Sequence, residues 1–188
     1  MKKIGITGSL ASGKSTASKI LSLKKGPLFS ADMVVKRLYT RSFFKKLIAK
    51  KFKIPNNSNI KNALRKKVIE DKSNINKIER IIHPLVRIEM RNFIIKNKNK
   101  KFTFFEIPLL IESKLMKNFD ILIFIKAKRN IRLKRFVSKG GDRKLFDILN
   151  NKQLADKKKI KYCDHVIVNE KNINILKKNL LYILSKYE

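Results

Sequence analysis

One cysteine among 188 residues, Cys163, excludes an internal disulfide and fits a reducing cytoplasm. No apolar run is long enough to span a bilayer, so no membrane partner is expected. The opening MKKIGITGSL has the basic start of a secretion signal. Its apolar stretch is broken at once by glycine and polar residues, and no small-residue cleavage site follows, so it reads as a first strand. Acidic residues are scarce, 14 against 47 Lys and Arg, which leaves a net charge of +33. Such a balance points to nucleic acid or an anionic membrane when it is gathered on one face. Here the basic residues are spread along the whole chain, and Lys, Asn and Ile, all with A/T-rich codons, are abundant together. The charge therefore reads as compositional drift, and no specific nucleic-acid partner is expected. No internal repeat is evident, and KNKNKK (96–101) reads as a solvated loop.

What is present suffices for one folded domain over 1–188, since 43% of the residues are hydrophobic. Four short apolar runs rich in β-branched or aromatic residues suit parallel strands covered on both faces: 2–7, 102–108, 120–127 and 164–169. A weaker candidate is GPLFSAD at 26–32. Helical spacing is found in Ser42 to Phe52, through Phe44, Leu47, Ile48 and Phe52. It recurs near the C-terminus through Ile173, Leu176, Leu180 and Leu184, and both stripes read as core faces. Strands alternating with helices imply an α/β domain with a largely parallel sheet. Residues 34–101 are mostly helical, contain the polar patch IPNNSNIKN, and read as an insertion between the second and third strands.

The first candidate site follows the first strand. Gly8-Ser9-Leu10-Ala11-Ser12-Gly13-Lys14-Ser15 fits G-x-x-x-x-G-K-[ST], and the helix after it has Ala17, Ile20 and Leu21 as its apolar positions. A strand before and a helix after are what this motif requires. The loop's backbone N–H groups can point at phosphate oxygens, and the helix N-terminus adds partial positive charge. Lys14 can reach the β- and γ-phosphates, the Ser15 hydroxyl can ligate Mg²⁺, and Thr16 can touch the α-phosphate. Ser9 and Ala11 must adopt backbone angles open to side chains or leave the loop strained.

A P-loop serves ATPases, GTPases and small-molecule kinases alike. The absence of N-K-x-D argues against a GTPase. The run ILIFIKA ends in Lys-Ala, so no evident strand-end aspartate supplies an ATPase-type metal ligand. Asp32, at the end of the second strand candidate, can orient a substrate hydroxyl and accept its proton. The same residue can instead cap the helix MVVKRLY, and spacing alone does not choose.

The order of GITGSLASGKST, FSADMVVKRL, ALRKKVI, IIHPLVR, EIPLLIE and CDHVIVN resembles dephospho-coenzyme A kinases, from the P-loop to Asn169. The resemblance implies a P-loop kinase three-layer fold with a five-stranded parallel sheet, a helical substrate-binding insertion and a lid. It implies transfer of the γ-phosphoryl group of ATP, with Mg²⁺, to the ribose 3′-hydroxyl of dephospho-coenzyme A. It implies Asp32 as the base, and Arg65, His83, Pro108 and Leu109 on the acceptor side. It implies ATP-binding roles for Ser9, Leu10, Ala11, Ser12, Gly13, Lys14, Ser15, Thr16 and Asn169. Pro84 of the His-Pro pair is expected to disfavour helix at the residue before it. Glu112 is either a surface acid or a pocket residue. The family usually has D-A-D where this chain has Ser30-Ala31-Asp32. Another P-loop kinase would share the loop and Asp32 but leaves HPLV and IPLLIE unexplained. A non-enzymatic nucleic-acid-binding protein is favoured by charge alone. The implied enzyme is cytoplasmic and a monomer or weak homo-oligomer.

Arginine from a mobile lid commonly offsets charge on a transferring phosphoryl group. Arg132, Arg135 and Lys139 share one face of a predicted helix that Gly140 and Gly141 end, which gives a lid segment at 139–146. The family pattern has arginine at the positions of Arg135 and Lys139. Arg135 is expected as the main lid contact, with Lys139 or Arg143 replacing the second arginine.

Overall fold

In the computed structural model, residues 1–23, 25–55 and 59–188 are described. Residues 56–58 of the polar patch lie outside them. The apolar runs form strands β1 (Lys2–Gly8), β2 (Leu28–Ser30), β3 (Phe102–Glu106), β4 (Ile121–Lys126) and β5 (His165–Val168). Every pairing is parallel, in the spatial order β2-β3-β1-β4-β5. β1 lies at the centre, so the loop that leaves it opens at the carboxyl edge between β3 and β4, where ligands bind in open α/β sheets.

The described chain forms two compact units, residues 1–31 with 93–188, and Asp32–Asn92. In the first unit α1 (Lys14–Ser22) and α9 (Ile173–Ser185) bury Ala17, Leu21, Leu176, Leu180 and Leu184 in one cluster with Ile4, Ile6, Phe104 and Ile123. Strand pleating sends Phe105 to the other face of the sheet. There it meets Phe29, Phe93 and Phe119 at ring separations of 5.9, 5.5 and 5.2 Å. Burial of one such ring contributes about 1.5–3 kcal/mol, so β3, buried at all five residues, anchors the sheet. Ile173 departs from the expected stripe. It is the first residue of α9 and stays exposed.

The second unit is helical. α2 (Ala31–Leu38) enters it, followed by α3 (Ser42–Phe52), α4 (Ile60–Glu70) and α5 (Asn74–Lys96), which runs on into the first unit. Its core joins Leu38, Phe44, Ile48, Phe52, Leu64 and Ile82. Leu47, expected in the α3 stripe, is exposed, because Phe44, Ile48 and Phe52 repeat every four residues and leave it to one side. The expected insertion began at 34 and ended at 101, whereas this unit spans Asp32–Asn92.

Pro84 corrects an expectation. It lies inside α5, and the helix continues through His83. An interior proline removes a helical hydrogen bond and costs about 3 kcal/mol. Burial of Ile75 and Ile82 before it and Met90 after it offsets that cost and keeps one helix.

The remaining elements follow β4: α6 (Arg129–Val137), α7 (Arg143–Lys152) and α8 (Asp156–Ile160). α6 ends before Lys139, so Lys139 is not on the same helical face as Arg132 and Arg135. Gly140 turns the chain at φ 82°. Asp142 then caps α7 by accepting from the Leu145 N–H at 2.7 Å, so the segment expected as a flexible lid already contains the first turn of a helix. Among the described residues no helix is long and apolar enough to cross a membrane.

Candidate active site

The loop between β1 and α1 is built on two glycines with opposite neighbours. Gly8 has φ 151°, and a Cβ there would stand 2.3 Å from the carbonyl oxygen of Ile125. Gly13 has φ 99°, and a Cβ there would stand 2.1 Å from Nδ2 of Asn169. Between them Ala11 is left-handed at φ 58°, whereas Ser9 is not, so only one of the two unusual residues carries strain. A left-handed alanine costs about 1–2 kcal/mol.

The N-terminus of α1 has no side-chain cap and no acid in its first turn. Its first N–H groups therefore face the loop with their partial positive charge, as an anion site requires. Lys14 is 7% exposed, and its Nζ donates to the Ser9 carbonyl at 2.8 Å. Ser15 and Thr16 are exposed. Ser12 Oγ is buried and has no hydrogen-bond partner among the described residues.

Glu106 stands beside Ser15. It is 3% exposed, at the carboxyl end of β3, in register with Ile6 of β1 and Ser30 of β2. Its Oε1 accepts from the Ser15 hydroxyl, and its Oε2 accepts from Ser30 Oγ at 2.9 Å. Ser30 opens the Ser30-Ala31-Asp32 run, so here a hydroxyl supports the strand-end carboxylate. Sequence reading missed Glu106. It sought an aspartate after an apolar run, although FTFF followed by glutamate has the same form.

α6 closes the other side. Arg135 donates to the carbonyls of Ser12 at 3.2 Å and Asn169 at 3.1 Å. Asn169, just past β5 and 7% exposed, donates from Nδ2 to the same Ser12 carbonyl at 2.8 Å. Arg132 does different work. It is 7% exposed and donates to Ala127 O at 3.1 Å, Leu10 O at 3.3 Å and Asn150 Oδ1 at 2.7 Å. Burial lowers its pKa, with Arg129 adding to the shift and Asp156 opposing it. It braces the P-loop from behind. Lys139 and Arg143 are exposed.

Pro108 and Leu109 are half-buried in the turn after β3, and the Pro108 carbonyl accepts from Thr7 Oγ1 at 3.3 Å. Glu112 is a half-buried acid, paired with Lys159 at 2.7 Å. Asp32 lies exposed in the first turn of α2, immediately after β2 rather than within it. Arg65 is exposed on α4, and His83 is half-buried in α5. These three belong to the second unit. The first unit by itself brings together the P-loop, Glu106, Arg135 and Asn169.

The family model for dephospho-CoA kinase matches residues 2–174. The chain belongs to the dephospho-CoA kinase family. A relative named dephospho-CoA kinase from Bartonella quintana (strain Toulouse) is 35% identical over 178 residues, 92% of this chain and 91% of that protein. Another so named, from Fusobacterium nucleatum, is 32% identical over 182 residues, 94% of each chain. Among solved structures, TT1252 from Thermus thermophilus has a TM-score of 0.79 at 24% identity, covering 98% of this chain and 97% of the other. Dephospho-CoA kinase from Campylobacter jejuni has a TM-score of 0.65 at 21% identity, covering 100% and 97%. A shikimate kinase from Acinetobacter baumannii has a TM-score of 0.61 at 14% identity, covering 99% and 94%. The structural likenesses establish the P-loop kinase fold that the family shares with other small-molecule kinases.

Proposed function

We propose that this chain phosphorylates the ribose 3′-hydroxyl of dephospho-coenzyme A with ATP, giving coenzyme A and ADP. The observation that carries the reading is the P-loop at the carboxyl edge of the sheet, tied through Ser15 to Glu106, in a chain of this family. Backbone N–H groups of residues 9–16 and the start of α1 bind the phosphates. Lys14 leaves its Ser9 carbonyl to neutralise charge on the β- and γ-phosphates, and Arg135 adds charge from the α6 side. The Ser15 hydroxyl and the Glu106 carboxylate are hard oxygen donors that fit Mg²⁺. Ser15 and Glu106 would hold the ion beside the bound phosphates; among the described residues no group of three or more His, Cys, Asp or Glu forms a metal site alone. Mg²⁺ would supply charge neutralisation on the phosphates.

In the transfer the 3′-oxygen forms a bond to the γ-phosphorus while the bond to the β–γ bridging oxygen breaks, and ADP leaves with that electron pair. The hydroxyl proton passes to the Asp32 carboxylate. Arg65, His83, Pro108 and Leu109 bind the acceptor, and Asn169 holds the loop on the adenine side. This reading places the protein in the cytoplasm as a monomer or weak homo-oligomer without a specific nucleic-acid partner. The deciding experiment offers dephospho-coenzyme A, nucleoside monophosphates and shikimate as competing acceptors, with Lys14→Ala as the control. Saturable transfer to dephospho-coenzyme A that survives added salt and disappears in the control is expected. Preference for another acceptor would overturn the assignment.

A further inference from the structure

Lys159 is a charged side chain wholly inside the described core, with 0% exposure. It comes from α8, far from the P-loop in sequence. Its Nζ meets Glu112 Oε1 at 2.7 Å and lies 3.4 Å from Gln153 Oε1. Each partner holds a different part of the site. Gln153 Oε1 also accepts the N–H of Leu10, in the P-loop, at 3.1 Å. Asp156, at the start of α8, accepts from the hydroxyl of Ser9. Glu112 lies within the turn that runs from Pro108 to Lys114, and its Oε1 also accepts the Leu154 N–H at 3.1 Å. That turn is fixed at its start by Thr7. It is stiffened within by Ser113 N–H donating to Leu109 O at 2.9 Å and Leu115 N–H to Leu110 O at 3.0 Å.

A buried ion pair is a poor source of net stability. Desolvation offsets its attraction, and well-packed apolar residues often do as well. What this pair adds is a single fixed geometry between two loops that would otherwise move separately. The P-loop needs such support, because Ala11 holds a left-handed backbone that persists only when its surroundings over-determine it. The grip falls on Ser9 and Leu10, the two residues before Ala11.

We propose that Lys159 is a positioning residue for phosphoryl transfer, a buried cation that joins the P-loop, through Gln153, to the turn after β3, through Glu112. The proposal rests on the kinase reading above but concerns residues outside the phosphate contacts. Errors of an ångström in placing reacting groups cost about a hundredfold in rate, so loss of the strut appears in turnover, not only in stability.

The test compares Lys159→Met/Glu112→Gln, Gln153→Met and Gln153→Glu with the native chain. The double variant leaves no lone buried charge. The Gln153 variants alter a half-buried side chain and keep the protein folded even if the double variant does not fold. Measured well below each melting temperature, the double variant and Gln153→Met are expected to lose at least about tenfold in kcat and at least about threefold in ATP affinity by calorimetry. Gln153→Glu keeps an acceptor for both Leu10 and Lys159 and is expected to stay within about threefold of native on both measures. A merely structural strut would lower the melting temperature and leave kcat and ATP affinity of the folded protein native. Native values in Gln153→Met overturn the proposal, as does equal damage in Gln153→Glu. A native chain that binds ATP yet transfers nothing to dephospho-coenzyme A overturns the functional reading instead, and ATP affinity alone then decides the role of the strut.

Discussion

Asn169 stands where a side chain on Gly13 would have to be. Its Nδ2 would lie 2.1 Å from a Cβ at Gly13, and the same amide donates 2.8 Å to the carbonyl of Ser12. The residue that follows the last strand thereby holds down the first loop. Gly13→Ala meets both a steric clash and a φ of 99°, so the loop must move. ATP affinity is expected to fall at least about a hundredfold, against about tenfold for Asn169→Ala, which loses one buried hydrogen bond. Calorimetric titration with ATP checks the order, and an alanine at 13 that binds ATP normally would refute the loop geometry.

Glu106 and Ser15 predict a graded metal response. Ser15→Ala leaves the carboxylate, and water can replace the hydroxyl, so activity should fall modestly and recover at high Mg²⁺. Glu106→Gln removes the charge that both Ser15 and Ser30 address, and kcat should fall about a hundredfold or more with little recovery. Titration of each variant with Mg²⁺ separates them. Identical metal dependence in native and Glu106→Gln enzyme would exclude a metal-side role for Glu106.

Arg135 is set between the Ser12 and Asn169 carbonyls, within reach of the loop, whereas Lys139 and Arg143 are exposed beyond the helix. Arg135→Ala is expected to lower kcat at least about tenfold, since it removes a guanidinium aimed at the phosphate loop. Lys139→Arg should be neutral or faster. Steady-state rates on the three single variants decide the register. A silent Arg135→Ala beside a crippled Arg143→Ala would move the lid contact past the glycines.

Asp32→Asn keeps shape and removes the proton acceptor. Turnover is expected to fall about 10²–10⁴-fold with ATP affinity nearly unchanged. Single-turnover kinetics at saturating ATP measure this directly. Lost ATP binding with normal transfer per bound complex would make Asp32 a structural or metal-side residue.

Cys163 should be a slow thiol. Burial first, then the nearby Asp164 charge, raises its pKa to about 11, against the small opposing effect of Lys159. The raised value means the thiolate is scarce in the folded protein until pH climbs through that range. At pH 8 alkylation is expected to be about a hundredfold slower than for a free thiol, to accelerate steadily up to pH 11, and to become fast on unfolding. Rapid labelling of the native chain at pH 7 would contradict this burial.

The P-loop and the alternation of strands and helices could be read without coordinates because their signals are local. A phosphate loop needs its glycines, lysine and hydroxyl within eight residues, and a doubly covered strand needs only its own apolar run. The α3 limits, Ser42–Phe52, coincide with the periodic stretch for the same reason. Pro84 misled because proline's preference is also local, while the burial that carries α5 through it is not.

The rest was decided by the order of the strands. Glu106 becomes part of the site only because β3 lies beside β1, which puts Ile6 opposite Glu106 and brings Ser15 to it across 91 positions of chain. Asn169 and Arg135 reach Ser12 across 157 and 123 positions, and Lys159 meets Glu112 only when α8 folds against the turn after β3. Lys14 is marked by its motif, but in a chain with 47 basic residues nothing in the sequence marks Arg132 and Lys159 as cations that are also taken out of water. Burial distinguishes them, and burial is a property of the packed layers: a cation can leave water only where folding supplies carbonyls or a carboxylate to receive it.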